Sequence, residues 1–232
     1  MTGPPKHVAA LIDLHVHSHR SSDGRGTVKD LARRAQEQGI QGFIVSDHNT
    51  FEAAKEIAAA KFRDLLVVPG MEVSSSAGHC LAIGVKSPVP RGLSLAETLE
   101  AIQDAGGVGV PSHPYRIFNG VGEKELDACG RRLVAVEVYN ARDGDGWRQR
   151  RAEGYAGAHD LGGTGGSDAH QIFEVGNAYT VFPEMPESVD DVVWMIERRK
   201  TWGIGLGTPK YRMLFQNAKN ASLWARRGFK SM

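Results

Sequence analysis

A chain of 232 residues, 41% of them hydrophobic, is long enough to bury a substantial core, as one α/β domain or two small ones. Its 28 basic and 27 acidic residues balance, so composition carries no sign of a polyanion partner, and any basic patch has to be local. Two cysteines, Cys80 and Cys129, make neither a disulfide framework nor a zinc ribbon; with no signal-like apolar stretch at the start and no run near the ~20 apolar residues of a membrane span, a cytoplasmic location is expected.

In chain order, an apolar run from Val8 to Leu14 predicts the first strand, which ends in Asp13-Leu14-His15-Val16-His17. Alternation along a strand puts Asp13, His15 and His17 on one face, so two imidazoles point the same way. Taken alone, that pair is equally consistent with surface histidines, core histidines or a metal site. After the polar loop 18–26, Thr27 to Asp30 reads as a capping box opening a helix that Gly39 stops. Phe43–Val45 predicts a buried strand ending at Ser46-Asp47-His48-Asn49, followed by a helix over Phe51–Ala60. The next strand, Leu65–Glu72, again ends in a residue able to bind metal.

His79–Val85 alternates as a strand, and Ser94 to Glu97 is a second capping box on a helix closed by Gly106-Gly107. Val108–Val110 leads into Pro111-Ser112-His113-Pro114. Further on come a helix at Glu123–Cys129, a strand at Leu133–Tyr139 carrying Glu137, and a helix at Trp147–His159. Gly162–Ser167 is too glycine-rich to assign from propensity, yet it leads to Asp168-Ala169-His170. A last strand at Ala178–Phe182, an amphipathic helix at Ser188–Arg199 and a basic helix at Tyr211–Arg227 complete the pattern, with no repeat or linker to divide it.

Alternating strands and helices predict a parallel β/α architecture, with successive strands running the same way and their C-terminal ends on one side. His15, His17, His48, Glu72, His113, Asp168 and His170 each follow a strand or strand candidate. Mixed imidazole and carboxylate donors without thiolates suit zinc, manganese or iron, and so many donors exceed the needs of one ion. Two ions ~3.5–4 Å apart acidify a shared water and clamp an in-line displacement at phosphorus, so no serine or cysteine nucleophile is required.

Seven segments in order carry a likeness: DLHVHS at Asp13–Ser18, SSDG at Ser21–Gly24, SDHNT at Ser46–Thr50, PGMEVS at Pro69–Ser74, GH at Gly78-His79, SHPYR at Ser112–Arg116 and GGSDAH at Gly165–His170. Together they resemble the PHP (polymerase and histidinol phosphatase) superfamily of metal-dependent phosphoesterases, and among its members the short stand-alone proteins near histidinol phosphatase. The resemblance implies a distorted (β/α)7 barrel with up to three divalent ions at the strands' C-terminal ends. It implies a single domain over 1–232, with the core motifs at about 8–182 and a C-terminal helical segment at 188–228.

Carried over residue by residue, His15 and His17 would hold one ion with Glu72 and Asp168. Glu72 would bridge to a second, held also by His79 and His113. Asp23, His48 and His170 would hold a third, with Asp23 where some relatives have histidine. Arg116 is a candidate for binding the substrate phosphate, its alternative being a surface ion pair. Asp13 and Asp47 are candidates to orient the ligand histidines, and Glu137 for a structural or supporting role. Arg20, His7, His19 and His159 read as surface residues.

The expected activity is hydrolysis of a small phosphomonoester by a hydroxide bridging two ions, histidinol phosphate and nucleotides being substrate candidates. A nuclease or nucleotidase is one alternative, which the balanced charge disfavours. A non-catalytic metal-dependent binding module is the other, which the complete donor set disfavours.

Overall fold

Runs of four to ten residues, most of them apolar and alternating with helices, form the strands of a curled sheet in the computed structural model, which describes residues 5–143 and 146–205. The strands are β1 (Ala10–Asp13), β2 (Gly42–Val45), β3 (Leu66–Ser75), β4 (Gly78–Ile83), β5 (Val108–Pro111), β6 (Ala135–Asn140), β7 (Gly162–Gly166), β8 (Ala178–Phe182) and β9 (Trp202–Gly205). The helices are α1 (Val28–Glu37), α2 (Ala53–Ala59), α3 (Leu95–Asp104), α4 (Glu123–Cys129), α5 (Trp147–Ala158) and α6 (Val189–Glu197). The basic helix expected at Tyr211–Arg227 lies outside the described residues.

Seven strands hydrogen-bond in the order β5-β4-β3-β2-β1-β8-β9, and β6 and β7 form a separate parallel pair. β6 lies beside β5, and β7 lies beside β8 and β9, so the pair spans the gap between the two edges. Leu14 N–H donates to Gly165 O (3.3 Å), and the chain beyond β1 bridges the chain beyond β7 at Val16 and Ala169. The result is an α/β fold with the curled, incompletely paired sheet of a distorted (β/α)7 barrel.

The expectation that successive strands all run the same way is corrected. β1, β2 and β3 are parallel, but β4 runs antiparallel to both β3 and β5, and β8 runs antiparallel to β1 and β9. Only Ser76 and Ala77 separate β3 from β4, too few residues for the crossover that a parallel neighbour requires. The turn therefore makes a hairpin, and β4 places the start of its strand, not the end, beside the end of β3.

Inside the barrel, Ile12 and Leu14 meet Ile44, Val68, Leu81, Ile83, Val110 and Phe182, all buried, and α6 adds Val192, Met195 and Ile196. Helix α1 covers β2 on the outside, Leu31 and Ala35 packing with Phe43 and Val45, and α2 lies against β3. Thr27, Ser94 and Ser188 each form a reciprocal capping box with the acidic residue three positions on, which fixes where α1, α3 and α6 begin.

Candidate metal centre

The donors gather at one mouth of the barrel. His15 and His17 lie just past β1, His48 past β2, Glu72 and His79 meet diagonally across the β3–β4 hairpin, where Glu72 pairs with Leu81 and His79 with Ser74, His113 follows β5, and Asp168 and His170 follow β7. Asp23 reaches in from the loop before α1. Among the described residues, four overlapping groups have donor atoms within 4.8 Å of one another: His17 with Asp23, His48 and His170; His15 with Glu72 and His113; His15 and His17 with Asp168; His48 with Glu72 and His79. Every metal-ligand candidate named from the sequence is in at least one group.

Glu72 is 1% exposed and sits at the centre. Its Oε1 lies 3.0 Å from His113 Nε2, 3.1 Å from His79 Nδ1 and 3.4 Å from His15 Nε2. Its Oε2 lies 3.0 Å from His48 Nδ1 and 3.6 Å from His17 Nε2. Asp168 Oδ1 stands 3.6 Å from His15 Nε2 and 3.5 Å from His17 Nε2. Burial alone would raise the Glu72 carboxyl, but His79, His15 and His48 hold it well below the usual carboxylate range. Asp168 and Asp23 are likewise held ionised against burial by the imidazoles around them. Burial, with His170 and His48 close by, lowers the His17 imidazole to about 3. At His48 the carboxylates of Glu72 and Asp23 outweigh burial and lift it to about 10.

These residues fit divalent metal ions on three counts. Ring nitrogens His15 Nε2, both of His17, His79 Nδ1 and His113 Nδ1 are buried without a hydrogen-bond partner, a costly state unless something binds them. Separations of 3.4–3.6 Å between Nε2 of His15 and His17 and the Glu72 and Asp168 oxygens are long for hydrogen bonds. They match the ~3.4 Å between two ligands of one tetrahedral ion with bonds of about 2.0–2.2 Å. Tautomers agree as well: His15 Nδ1–H donates to Glu137 Oε1 (2.9 Å) and His170 Nδ1–H donates to the Asp168 carbonyl (2.8 Å), leaving each Nε2 lone pair directed into the cluster.

Backbone geometry is tuned to the cluster too. His113 (φ 32°) and Asp168 (φ 53°) are non-glycine residues in the left-handed region, where such strain costs on the order of 1–3 kcal/mol. Gly166 is required by close approach: a Cβ there would stand 2.3 Å from His15 Cβ.

Around the donors, Glu137 supports histidine segments as the sequence suggests, and Asn140, Glu174 and Ser112 join it without having been singled out. Glu137 Oε2 accepts from His113 N–H (2.6 Å) and from Asn140 Nδ2 (3.0 Å), so this carboxylate ties two histidine segments together. Glu174 accepts from the backbone N–H of His170 (2.8 Å) and Gln171 (2.9 Å). Ser112 Oγ donates to Glu72 Oε1 (2.8 Å). The expected role of Asp13 and Asp47 is corrected: neither bonds to an imidazole. Asp13 accepts from Ser167, Gly176 and His15 N–H (2.8, 2.9 and 3.3 Å), so it holds the His15 backbone rather than its ring, and burial pushes its carboxyl up to about 6; Asp47 accepts from Ser18 N–H and Oγ. Both anchor the loops that carry ligands.

Arg116 lies in the cleft, a quarter exposed. Its Nε donates to Asp143 (2.8 Å), Nη1 to Asp168 Oδ2 (3.0 Å) and Nη2 to Asn140 (2.9 Å). Of five guanidinium N–H groups, two remain, one on each Nη. Arg20 pairs with Glu56 at the surface, His159 stacks on Tyr155, and Cys80 and Cys129 are buried free thiols. The cleft holds about 840 Å³ and is lined by the donors other than the more deeply placed His15 and His17, together with Asn49, Ser74–Gly78, Arg116, Phe118–Gly120 and Arg142.

Comparison with known proteins agrees with this arrangement. The PHP domain model matches residues 13–114 and the PHP-associated model matches residues 146–201. Two uncharacterised proteins of Methanocaldococcus jannaschii are each 30% identical, over 58% of this chain and 84% of the relative, and over 78% and 74% respectively. A probable histidinol-phosphatase of Thermotoga maritima is 38% identical over a 42-residue segment, 18% of each chain. Among solved structures, PsfC from Pseudomonas syringae superposes with a TM-score of 0.68 at 20% identity, covering 92% of this chain and 98% of that one. A predicted PHP-like metal-dependent phosphoesterase from Bacteroides vulgatus gives 0.64 at 16% identity, over 87% and 67%. A lesion-specific endonuclease from Pyrococcus furiosus gives 0.66 at 18% identity, over 82% and 56%. On its ordered motifs, its donor cluster and these matches, the chain belongs to the PHP family of metal-dependent phosphoesterases.

Proposed function

We propose that this chain is a phosphatase acting on a small phosphomonoester, as a single domain in the cytoplasm. Two or three ions of zinc, manganese or iron would be held by His15, His17, Asp23, His48, Glu72, His79, His113, Asp168 and His170. The observation that carries the reading is the set of buried imidazole nitrogens without hydrogen-bond partners, standing at ligand–ligand distances from ionised Glu72 and Asp168. When bound, such ions acidify water and neutralise charge on phosphoryl oxygens.

The chain's own residues would act as follows. Glu72, with an oxygen toward each side of the cluster, is the residue suited to bridge two ions. Glu137 and the Asp168 carbonyl hold the His15 and His170 rings in the tautomer that ligation requires. Arg116, fixed by Asp143 and Asn140, keeps Asp168 Oδ2 engaged so that Oδ1 faces His15 and His17, and offers its two remaining N–H groups to a phosphate. A cleft of about 840 Å³ suits a small molecule rather than a duplex.

A second reading, a nuclease, draws on the shared fold of the Pyrococcus furiosus endonuclease, of which the match covers only 56%. One assay separates the two. Purified protein with Mn²⁺, before and after chelation, is offered histidinol phosphate, nucleoside mono- and bisphosphates, an aryl phosphate and a short oligonucleotide. Chelator-sensitive phosphate release from a small ester is the expected result. Shortening of the oligonucleotide without such release would overturn it in favour of the nuclease.

A further inference from the structure

The cleft is polar almost throughout: donors, hydroxyls, amides and the guanidinium groups of Arg116 and Arg142 line it. Phe118 is the one large apolar side chain among the described residues of its wall. It is 80% exposed, and its neighbour Ile117 is 78% exposed. Ile117 lies outside that wall, so Phe118 alone sets an apolar ring in water at the rim of a polar site, where it can meet a bound ligand.

The segment bearing Phe118 is fastened at both sides. Tyr115 N–H donates to Val121 O (3.0 Å), Arg116 N–H to His113 O (3.3 Å), and His79 N–H to Asn119 O (2.9 Å). Tyr115 and Asn119 take left-handed backbone angles of 68° and 63°. Gly120 packs so closely under the turn that a Cβ would stand 2.4 Å from Arg116 N and O. Outside, Arg151 lies over the Tyr115 ring (4.1 Å) and Arg148 Nε donates to Tyr115 O (3.2 Å). Phe118 is thus presented by a pinned turn whose next anchor, two residues back, is the Arg116 guanidinium itself.

We propose that Phe118 is a specificity-determining residue, and that the phosphoester it selects carries a planar aromatic ring on its alcohol portion. A phenyl face at the mouth of a polar cleft offers offset stacking to a flat ring while the phosphate lies inward at Arg116; a plain sugar or alkyl phosphate makes a smaller contact and gains less from it. This deepens the phosphomonoesterase reading and rests on it for the orientation of the ligand. Stacking of one ring on an aromatic side chain corresponds to about tenfold in affinity.

The test is a calorimetric titration of the metal-loaded full chain with a nucleoside 5′-monophosphate and with ribose 5-phosphate, which share the phosphate and sugar and differ in the ring. Wild type is expected to bind the nucleotide about tenfold more tightly. Phe118→Ala is expected to bring that ratio to within about twofold, and Phe118→Trp to retain it. Equal affinities in the wild type, or a ratio that survives Phe118→Ala, would overturn the proposal, as would a Phe118-dependent dimer with no ligand preference. Phosphate release is followed in the same samples: an intact ring preference without release would sink the phosphatase reading and leave the role of Phe118 standing.

Discussion

At the residue scale, the donors were legible because each stands in a distinctive local motif, and a strand's two-residue period already put His15 and His17 on one face. Of their supporting partners only Glu137 was legible. Asn140, Asp143, Glu174 and Ser112 are single polar residues without spacing to mark them, and only the fold brings them within bonding distance. Asp13 and Asp47 misled for the opposite reason: adjacency to a histidine in sequence does not aim a carboxylate at its ring. Glu137 offers the sharpest test, since it holds both the His15 ring and the His113 backbone. Glu137→Gln keeps the shape and removes the charge, and is expected to weaken metal binding by about 10–100-fold while the fold persists. Competition against a chromophoric chelator, with circular dichroism as the control for folding, measures it; undiminished affinity would reduce Glu137 to a packing role.

Elements were legible where local chemistry decides them. The Thr27 and Ser94 boxes form as expected, and α4 and β8 have the bounds that periodicity predicts. Periodicity does not report direction, so the β3–β4 hairpin was read as two steps of a parallel series although the absence of a helix between them was visible in the spacing. β7 was unassignable because a run of glycine and threonine has little strand propensity; it exists through its pairing with β6 and the close approach of Gly166 to His15. For α3, the reciprocal bonds between Ser94 and Glu97 replace two orphaned donors at the helix start. Ser94→Ala is expected to cost about 1 kcal/mol, lowering Tm by about 2–4 °C without altering metal content. An unchanged Tm would mean that packing of Leu95, Leu99 and Ile102 alone fixes this helix.

For the whole molecule, the centre joins distant parts of the chain. The matched segments 13–114 and 146–201 both supply donors: Asp168 and His170 come from the second, the other candidates from the first. Ions at this mouth would therefore tie the β6–β7 pair to the main sheet where backbone hydrogen bonds between them are few, as at Leu14 and Gly165. Binding to the folded state alone stabilises it by about 4 kcal/mol at a free concentration a thousandfold above Kd, which for a chain of this size is about 8–16 °C in Tm. Chelation should remove that increment, and more acidic buffer should erode it too, because imidazoles must shed protons to ligate and metal binding releases them. His17→Ala separates the ion's contribution from that of packing. Both His17 ring nitrogens lack hydrogen-bond partners, so without metal the substitution forfeits only the packing of a buried ring, which lowers the apo Tm by itself, and the separate, metal-induced rise should shrink sharply. Differential scanning calorimetry of both proteins, with and without Mn²⁺ and chelator, gives the four values. Equal metal-induced shifts in the two would show that His17 takes no part in holding an ion, and the assignment of the β1 histidines would have to be withdrawn.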